Sequence, residues 1–227
     1  MKELLFLGNG GPFNYEKDNT SAFYLDEKTM YLFDCGEKIA SKIIYYQLLD
    51  NIENLVIIIT HLHSDHVSSL EPLLTYIKLF KQGIKVTIIY PNKVKLKQLL
   101  SAYSFNDDVP IISKMINNTV SIYPYKTTHI GEAYSYYFLT KDLKFYYSGD
   151  TSVVNKDAVN KLEKGEINYL YHEVALFKSA VHTDLDTLSD MIDLSIRHKV
   201  FLMHFSDEKT VLESQKRGFN ISPLYKK

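Results

Sequence analysis

The sequence predicts a layered α/β sandwich, with two sheets face to face and helices on the outside. Three observations predict it. The chain opens on hairpin-like strands and then alternates strand and helix. Its last third repeats that alternation. Several strand candidates are short runs of β-branched and other apolar residues, as strands buried inside a protein are. No Pro/Gly/Ser tract, internal repeat or low-complexity segment interrupts the 227 residues, so residues 1–227 read as a single domain.

The first strands are "ELLFLG" (3–8), "SAFYLD" and "MYLFDCG", the latter two separated by the turn-like "EKT". A helix follows over about Ile39 to Leu49. Leu55, Val56, Ile57, Ile58 and Ile59 form a buried strand, and Val67, Leu70, Leu73, Leu74, Ile77 and Phe80 recur at helical spacing, predicting a helix over about 67–81. "KVTIIYP" is a further strand. "NKVKLKQLLSAY" is helical with Asn92 as N-cap. "TVSIYPY", "AYSYYFLT", "LKFYYSGD" and "EINYLYHEV" are strands, rich in tyrosine. Helix "DTLSDMIDLSIRH", strand "VFLMHF" and helix "EKTVLESQKRG", ended by Gly218, complete the chain.

Composition narrows the function classes. A hydrophobic fraction of 45% with 23% charged residues is that of a globular protein with a substantial core. The apolar run in "MKELLFLGNGG" is too short for a signal peptide, and no segment approaches the roughly 18 apolar residues of a membrane span. The single cysteine, Cys35, excludes an internal disulfide and points to a reducing cytoplasm. A net charge of −1 argues against a globally basic nucleic-acid binder. The charge is uneven, however. Between Glu71 and Asp107 there are no acids, while Lys78, Lys81, Lys85, Lys93, Lys95 and Lys97 fall there, either as a solvated helix face or as a polyanion track.

The stretch "VIIITHLHSDHVSSL" concentrates chemistry. Three of the 8 histidines, His61, His63 and His66, stand with Asp65 where a core strand ends and a helix begins. His61 and His63, two apart, project to one side of an extended segment, and Asp65 and His66 follow at the turn. H-x-H-x-D-H offers too many ligands for one closed site and suits two neighbouring metals. Imidazole with carboxylate suits zinc best, with manganese or iron as alternatives, and the lack of Cys ligands excludes a zinc-finger type of site. As solvent-facing residues alone, four such side chains between two strongly apolar elements would serve no packing purpose.

The cluster resembles the metallo-β-lactamase fold superfamily, and the resemblance runs along the whole chain. "TTHIGEAYSYYF", "YYSGDTS", "YHEVALF", "AVHTDLDT" and "FLMHFSDE" follow in the order and context of its phosphodiesterase, ribonuclease Z-like branch. The resemblance implies a four-layer αββα sandwich. It implies that His61, His63 and His129 hold one divalent metal ion, that Asp65, His66 and His204 hold the other, and that Asp150 bridges both. Singly, His129 would be a loop histidine, Asp150 a turn residue and His204 a core histidine; together at three strand ends they are better explained as ligands. In the look-alike branch a histidine placed as His182 donates a proton to the leaving oxygen, oriented by an acid placed as Glu173. Asp34 resembles a residue that steadies the histidine loop without touching metal. His172 and His198 are assigned to structure.

Such a pair of ions, at the roughly 3.5–4 Å of two-metal sites, would make a water nucleophilic near neutral pH, with Asp65 orienting it and protonated His182 serving the leaving group. The ribonuclease Z-type enzymes of the branch carry a long Gly/Pro-rich arm between the third histidine motif and the G-D motif. Positions 130–149 leave room here only for two strands and a tight turn. The chain is most similar to the phage anti-Pycsar cyclic-nucleotide phosphodiesterases, which implies hydrolysis of 3′,5′-cyclic CMP, UMP, AMP and GMP, an immune-evasion role in a host cytoplasm, two zinc ions and a homodimer. The alternative is an arm-less RNA-processing nuclease that uses Lys93, Lys95 and Lys97 as its track. A thioester or lactam hydrolase and a non-catalytic metal scaffold fit less well. The first loop, "LGNGGPFN", departs from the G-T-G-S more usual in the branch. The pair Tyr45 and Tyr46 suits either a core or a subunit contact.

Overall fold

The computed structural model describes residues 3–106 and 108–226; Met1, Lys2, Lys227 and Asp107, which bounds the lysine-rich stretch, lie outside the described residues. Among the described residues two mixed sheets form. The first takes β1 (Leu5–Gly8), β2 (Ser21–Asp26), β3 (Thr29–Phe33), β4 (Asn54–Ile58), β5 (Lys85–Ile89) and β6 (Ile111–Ile112) in that order. The second takes β7 (Met115–Ile116), β8 (Val120–Thr127), β9 (Ala133–Thr140), β10 (Lys144–Tyr147), β11 (Tyr169–Glu173), β12 (Val200–Met203) and β13 (Asn220–Ile221). Each sheet begins antiparallel and becomes parallel, at the β3–β4 pair in the first and the β10–β11 pair in the second.

Parallel pairs need crossovers, and helices supply them. They are α1 (Ile39–Tyr45), α2 (Ser64–Val67), α3 (Leu70–Phe80) and α4 (Lys93–Ala102) on the first sheet, and α5 (Lys156–Glu163), α6 (Leu185–Met191) and α7 (Glu208–Lys216) on the second. Among the described residues no helix is long and apolar enough to cross a membrane.

Side-chain alternation along the strands produces the layers. In and just after β4, Leu55, Ile57 and Ile59 pack outward with Leu73, Leu74 and Ile77 of α3. Val56 and Ile58 face inward, with Phe138 and Tyr147 of the other sheet. On the second sheet Tyr137 and Tyr146 turn outward to Leu162 of α5 and Leu188 of α6. The order is helix, sheet, sheet, helix: the four-layer αββα sandwich that the resemblance implies.

In a chain with no Trp, Phe and Tyr fill the space between the sheets. Phe138 stacks on Phe145 at 4.9 Å and meets Tyr31 edge-on at 5.0 Å and Tyr24 at 5.5 Å. Such pairs add to simple area burial. The hydroxyl of Tyr136 crosses between sheets to donate to the Ile59 carbonyl at 2.9 Å, and that of Tyr171 accepts from the Leu4 N–H at 3.0 Å. The pair at Tyr45 and Tyr46 divides: Tyr46 packs on Tyr225 at 5.3 Å, and Tyr45 is exposed.

Several elements differ from the sequence expectation. The helix expected over 67–81 starts earlier, as α2, and breaks at Ser68 and Ser69, where the Ser69 hydroxyl is drawn to the backbone of Cys35 and Gly36. "DTLSDMIDLSIRH" is not one helix: it stops after Met191 because Ile192 is extended, and a 3-10 turn at Leu194–Lys199 restarts on Asp193, whose carboxylate accepts from the Ser195 N–H. The first helix ends at Tyr45, before Gln47 takes a positive φ of 56°. Helix α5, capped by Asn155, and the two-residue edge strands β6, β7 and β13 were not legible. Asn92 caps α4 by accepting from the Lys95 N–H, and Gly218 closes α7 at φ 83°.

Candidate active site

The parallel strands β4, β10, β11 and β12 point the same way in their sheets; Glu173 is the last residue of β11, and the segments that follow the carboxyl ends of the others carry His61 to His66, Asp150 and His204. That edge is where open α/β sheets place ligands. His129 joins them from the β8–β9 connection. Two glycines let the loops approach. A Cβ on Gly36 would lie 1.9 Å from the Asp65 carbonyl oxygen, and one on Gly149, at φ 57°, would lie 2.9 Å from the Thr60 side chain. His204 itself has φ 63°, a strained conformation for a non-glycine residue.

All seven sequence-predicted ligand candidates converge here, in two sets. In the first, Nε2 of His61 lies 2.9 Å from Nδ1 of His63, which lies 3.3 Å from Nε2 of His129. In the second, Oδ2 of Asp65 lies 3.2 Å from Nε2 of His66 and 3.4 Å from Nε2 of His204. Within each of the groups His61, His63, His129 and Asp65, His66, Asp150, His204, one ligand atom per residue lies within 4.8 Å of the others. Asp150 faces both: its Oδ2 is 3.9 Å from His61, 3.8 Å from His129 and 3.4 Å from His204, and its Oδ1 is 3.4 Å from His66.

The residues behind these groups set which nitrogen is presented. Asp34, fully buried at φ 58°, accepts from the Thr60 N–H and hydroxyl, each at 2.8 Å, and from Nδ1 of His66 at 2.8 Å. Nδ1 of His129 donates to the Val181 carbonyl at 2.9 Å. Both rings therefore turn an Nε2 lone pair inward. Nε2 of His66 is buried and has no hydrogen-bond partner among the described residues; its approach to Asp65 is close in distance but lacks hydrogen-bond geometry. A buried, unsatisfied imidazole nitrogen among carboxylates is a metal ligand's environment, and the all-nitrogen and oxygen donor set fits zinc or manganese.

Electrostatics agree with that fit. Burial, then neighbouring His66, lowers His61 to about 2, so it is neutral and its lone pair is free. Burial opposes charge on His66 and His204, yet Asp150 raises both. Burial works against the Asp150 carboxylate too, and His204 and His66 nevertheless hold it well below the usual carboxylate range. The carboxylates thus favour positive charge at this point, which a divalent ion would supply.

Beside the second set, Nδ1 of His182 is 2.9 Å from Oε2 of Glu173. Glu173 is fully buried; its Oε1 accepts from the backbone N–H of Thr151 at 2.8 Å and of Thr183 at 3.3 Å. Burial, then Asp150, pushes Glu173 above its ordinary range. The His182 ring is 27% exposed and packs 5.3 Å from the rings of both His129 and His204. His172, by contrast, is fully buried with Nδ1 on the Glu173 carbonyl at 2.7 Å, and burial lowers it to about 4. His198 lies in the last turn of the 3-10 segment.

Sequence reasoning missed Thr60 and the threonine N–H groups that hold Glu173, and it marked the first loop as a departure from the branch's usual pattern without placing it at the rim of the site. A cavity of about 200 Å³ opens between that loop, through Pro12 and Phe13, and His182 and His204. The signal for the loop was the Pro-x-Asn turn in "GGPFN".

Comparison with known proteins agrees with this architecture. The model of the family described as "Anti-Pycsar protein Apyc1" matches residues 2–221. The chain is 28% identical over 224 residues to an anti-Pycsar protein Apyc1 of Paenibacillus harenae, covering 90% of each chain. It is 25% identical over 233 residues to the protein of that name from Bacillus phage BSP38, covering 90% of this chain and 89% of that one. Among solved structures it is similar to the metallo-β-lactamase fold protein YhfI of Bacillus subtilis, with TM-score 0.72 and 18% identity over 98% of this chain and 95% of that one.

Proposed function

The chain belongs to the anti-Pycsar protein Apyc1 family, and on that premise we propose that this metal-dependent phosphodiesterase is a dinuclear enzyme that opens the ring of 3′,5′-cyclic mononucleotides, those of cytosine and uracil and also of adenine and guanine. Its role is to remove a cyclic-nucleotide signal, in the cytoplasm of a host cell where the gene is carried by a phage. We take residues 1–227 as one hydrolase domain that acts as a homodimer. The observation that supports the reading most is Asp150 standing between two ligand sets, His61/His63/His129 and Asp65/His66/His204.

When bound, two divalent ions, zinc or manganese, would supply the Lewis acidity that activates a water and neutralises phosphodiester oxygens. The chain's own residues do the rest. Asp65 orients the attacking water as well as serving as a ligand. His182, kept in place by Glu173 on Nδ1, offers a proton from Nε2 to the departing ribose oxygen, a poor leaving group unless protonated. The buried contacts of Glu173 with Thr151 and Thr183 keep that pair rigid. A small substrate suits the entrance, because positions 130–149 hold only the end of a loop and the β9–β10 hairpin, and Lys95 is drawn onto Glu132 at 3.2 Å.

The test is a panel of cyclic mononucleotides, cyclic dinucleotides and precursor tRNA, run with zinc and with manganese. Ring-opened monophosphates from the first class are expected. Turnover of precursor tRNA alone would favour an RNA-processing nuclease, and a metal-loaded protein inert on the whole panel would overturn the phosphodiesterase reading. Sedimentation of the purified protein tests the dimer.

A further inference from the structure

Exposed apolar side chains are ordinary when scattered, but Phe13 is not scattered. Its ring is 85% exposed, and it forms one wall of the cavity whose other side holds His182 and His204. The neighbouring wall positions Pro12, Val174 and Ala175 are also apolar. At about 200 Å³ the space is below the roughly 300–1,000 Å³ of sites that enclose drug-sized ligands, and suits one flat group.

The backbone fixes the turn that carries this ring. Gly11 to Asn14 form a tight turn closed by the Asn14 N–H on the Gly11 carbonyl at 3.2 Å, with Pro12 at its second position and Phe13 at its third. The turn is pinned at both ends to one acceptor: the Phe205 carbonyl receives the Gly11 N–H at 2.9 Å and the Asn14 side-chain amide at 3.0 Å. Phe205 is fully buried and directly follows His204, a member of the ligand set. A nearly naked aromatic side chain with only two rotatable bonds is thus carried, on a fixed turn, to the reacting end of the site.

Resting on the phosphodiesterase reading, we propose that Phe13 is the platform on which the base of a cyclic mononucleotide stacks while its phosphate lies at the ligand sets. Stacking addresses the face of a base and not its edge, so the platform accepts pyrimidines and purines alike. Phe13 is accordingly a binding residue that sets affinity for the base and leaves the bond-breaking groups alone.

The metal-loaded protein tests this in two ways. Phe13→Ala is expected to raise KM about tenfold for the cyclic nucleotides of all four bases, with kcat within about twofold, and to leave hydrolysis of an abasic ribose 3′,5′-cyclic phosphate unchanged. Phe13→Trp, which creates the chain's single tryptophan, is expected to restore KM. In a His182→Ala background its fluorescence is expected to be quenched saturably by cyclic nucleotides and not by the abasic phosphate. Active wild-type enzyme with unchanged KM in Phe13→Ala, or a tryptophan blind to saturating cyclic nucleotide, overturns the platform while sparing the phosphodiesterase reading. Wild-type protein that turns over no cyclic nucleotide overturns both.

Discussion

Asp34 accepts a hydrogen bond from Nδ1 of His66 at 2.8 Å across 32 positions of sequence, and does so from a fully buried carboxylate at φ 58°. The carboxylate touches none of the other ligand candidates at such a distance. It fixes the ring through which His66 presents Nε2 to Asp65 and Asp150.

Replacing Asp34 should therefore weaken metal binding without removing a ligand. Asp34→Asn is the clean substitution, since asparagine tolerates the left-handed backbone and can still accept from Thr60. The expected loss of zinc affinity is roughly 10- to 100-fold, measured by competition with a chelator. Wild-type affinity in a folded Asp34→Asn protein would count against the role.

His182→Ala should retain both metals and lose about 10²- to 10⁴-fold in kcat on cyclic nucleotides. The loss should shrink on a p-nitrophenyl phosphodiester, whose leaving group departs without a proton. Metal content by elemental analysis and paired kinetics read this out; equal losses on the two substrates would remove His182 from the proton-donor role.

Phe138 is fully buried where Tyr24, Tyr31, Phe33 and Phe145 meet it from both sheets. Phe138→Ala should destabilise the fold by about 3–5 kcal/mol, seen as an earlier urea midpoint with little change in slope. A midpoint within error of wild type would mean that the two sheets do not rely on this contact.

Alkaline pH should unfold the protein cooperatively. Burial pushes the Cys35 thiol from 9.0 to about 12 and holds the hydroxyls of Tyr136 and Tyr147 well above 10.0. The folded state keeps these protons longer than the unfolded chain, so their stabilisation is fully present below about pH 9 and is lost as pH rises through the folded values. Tyrosinate absorbance should then lag a simple titration near pH 10 and rise together with loss of circular dichroism. A smooth, independent titration of all 18 tyrosines would contradict it.

The sequence by itself determined a good deal. The unbroken apolar run 55–59 specifies a buried strand, and the 3.6-residue periodicity of Leu70, Leu73, Leu74 and Ile77 specifies a helix; both are patterns that local sequence carries. The histidine cluster at their junction was legible for the same reason; His129, Asp150 and His204 stood at the ends of predicted strands, and His182 and Glu173 were legible only through the family resemblance. Tertiary structure alone decided the rest. The break at Ile192, the short edge strands and the hold of Asp34 on His66 depend on partners far away in the chain, and no local pattern encodes a distance of 2.8 Å between positions 34 and 66. Phe13 is the sharpest case: its neighbours in sequence describe a turn, and only the carbonyl of Phe205, brought there by the packed sheets, aims that turn at the site.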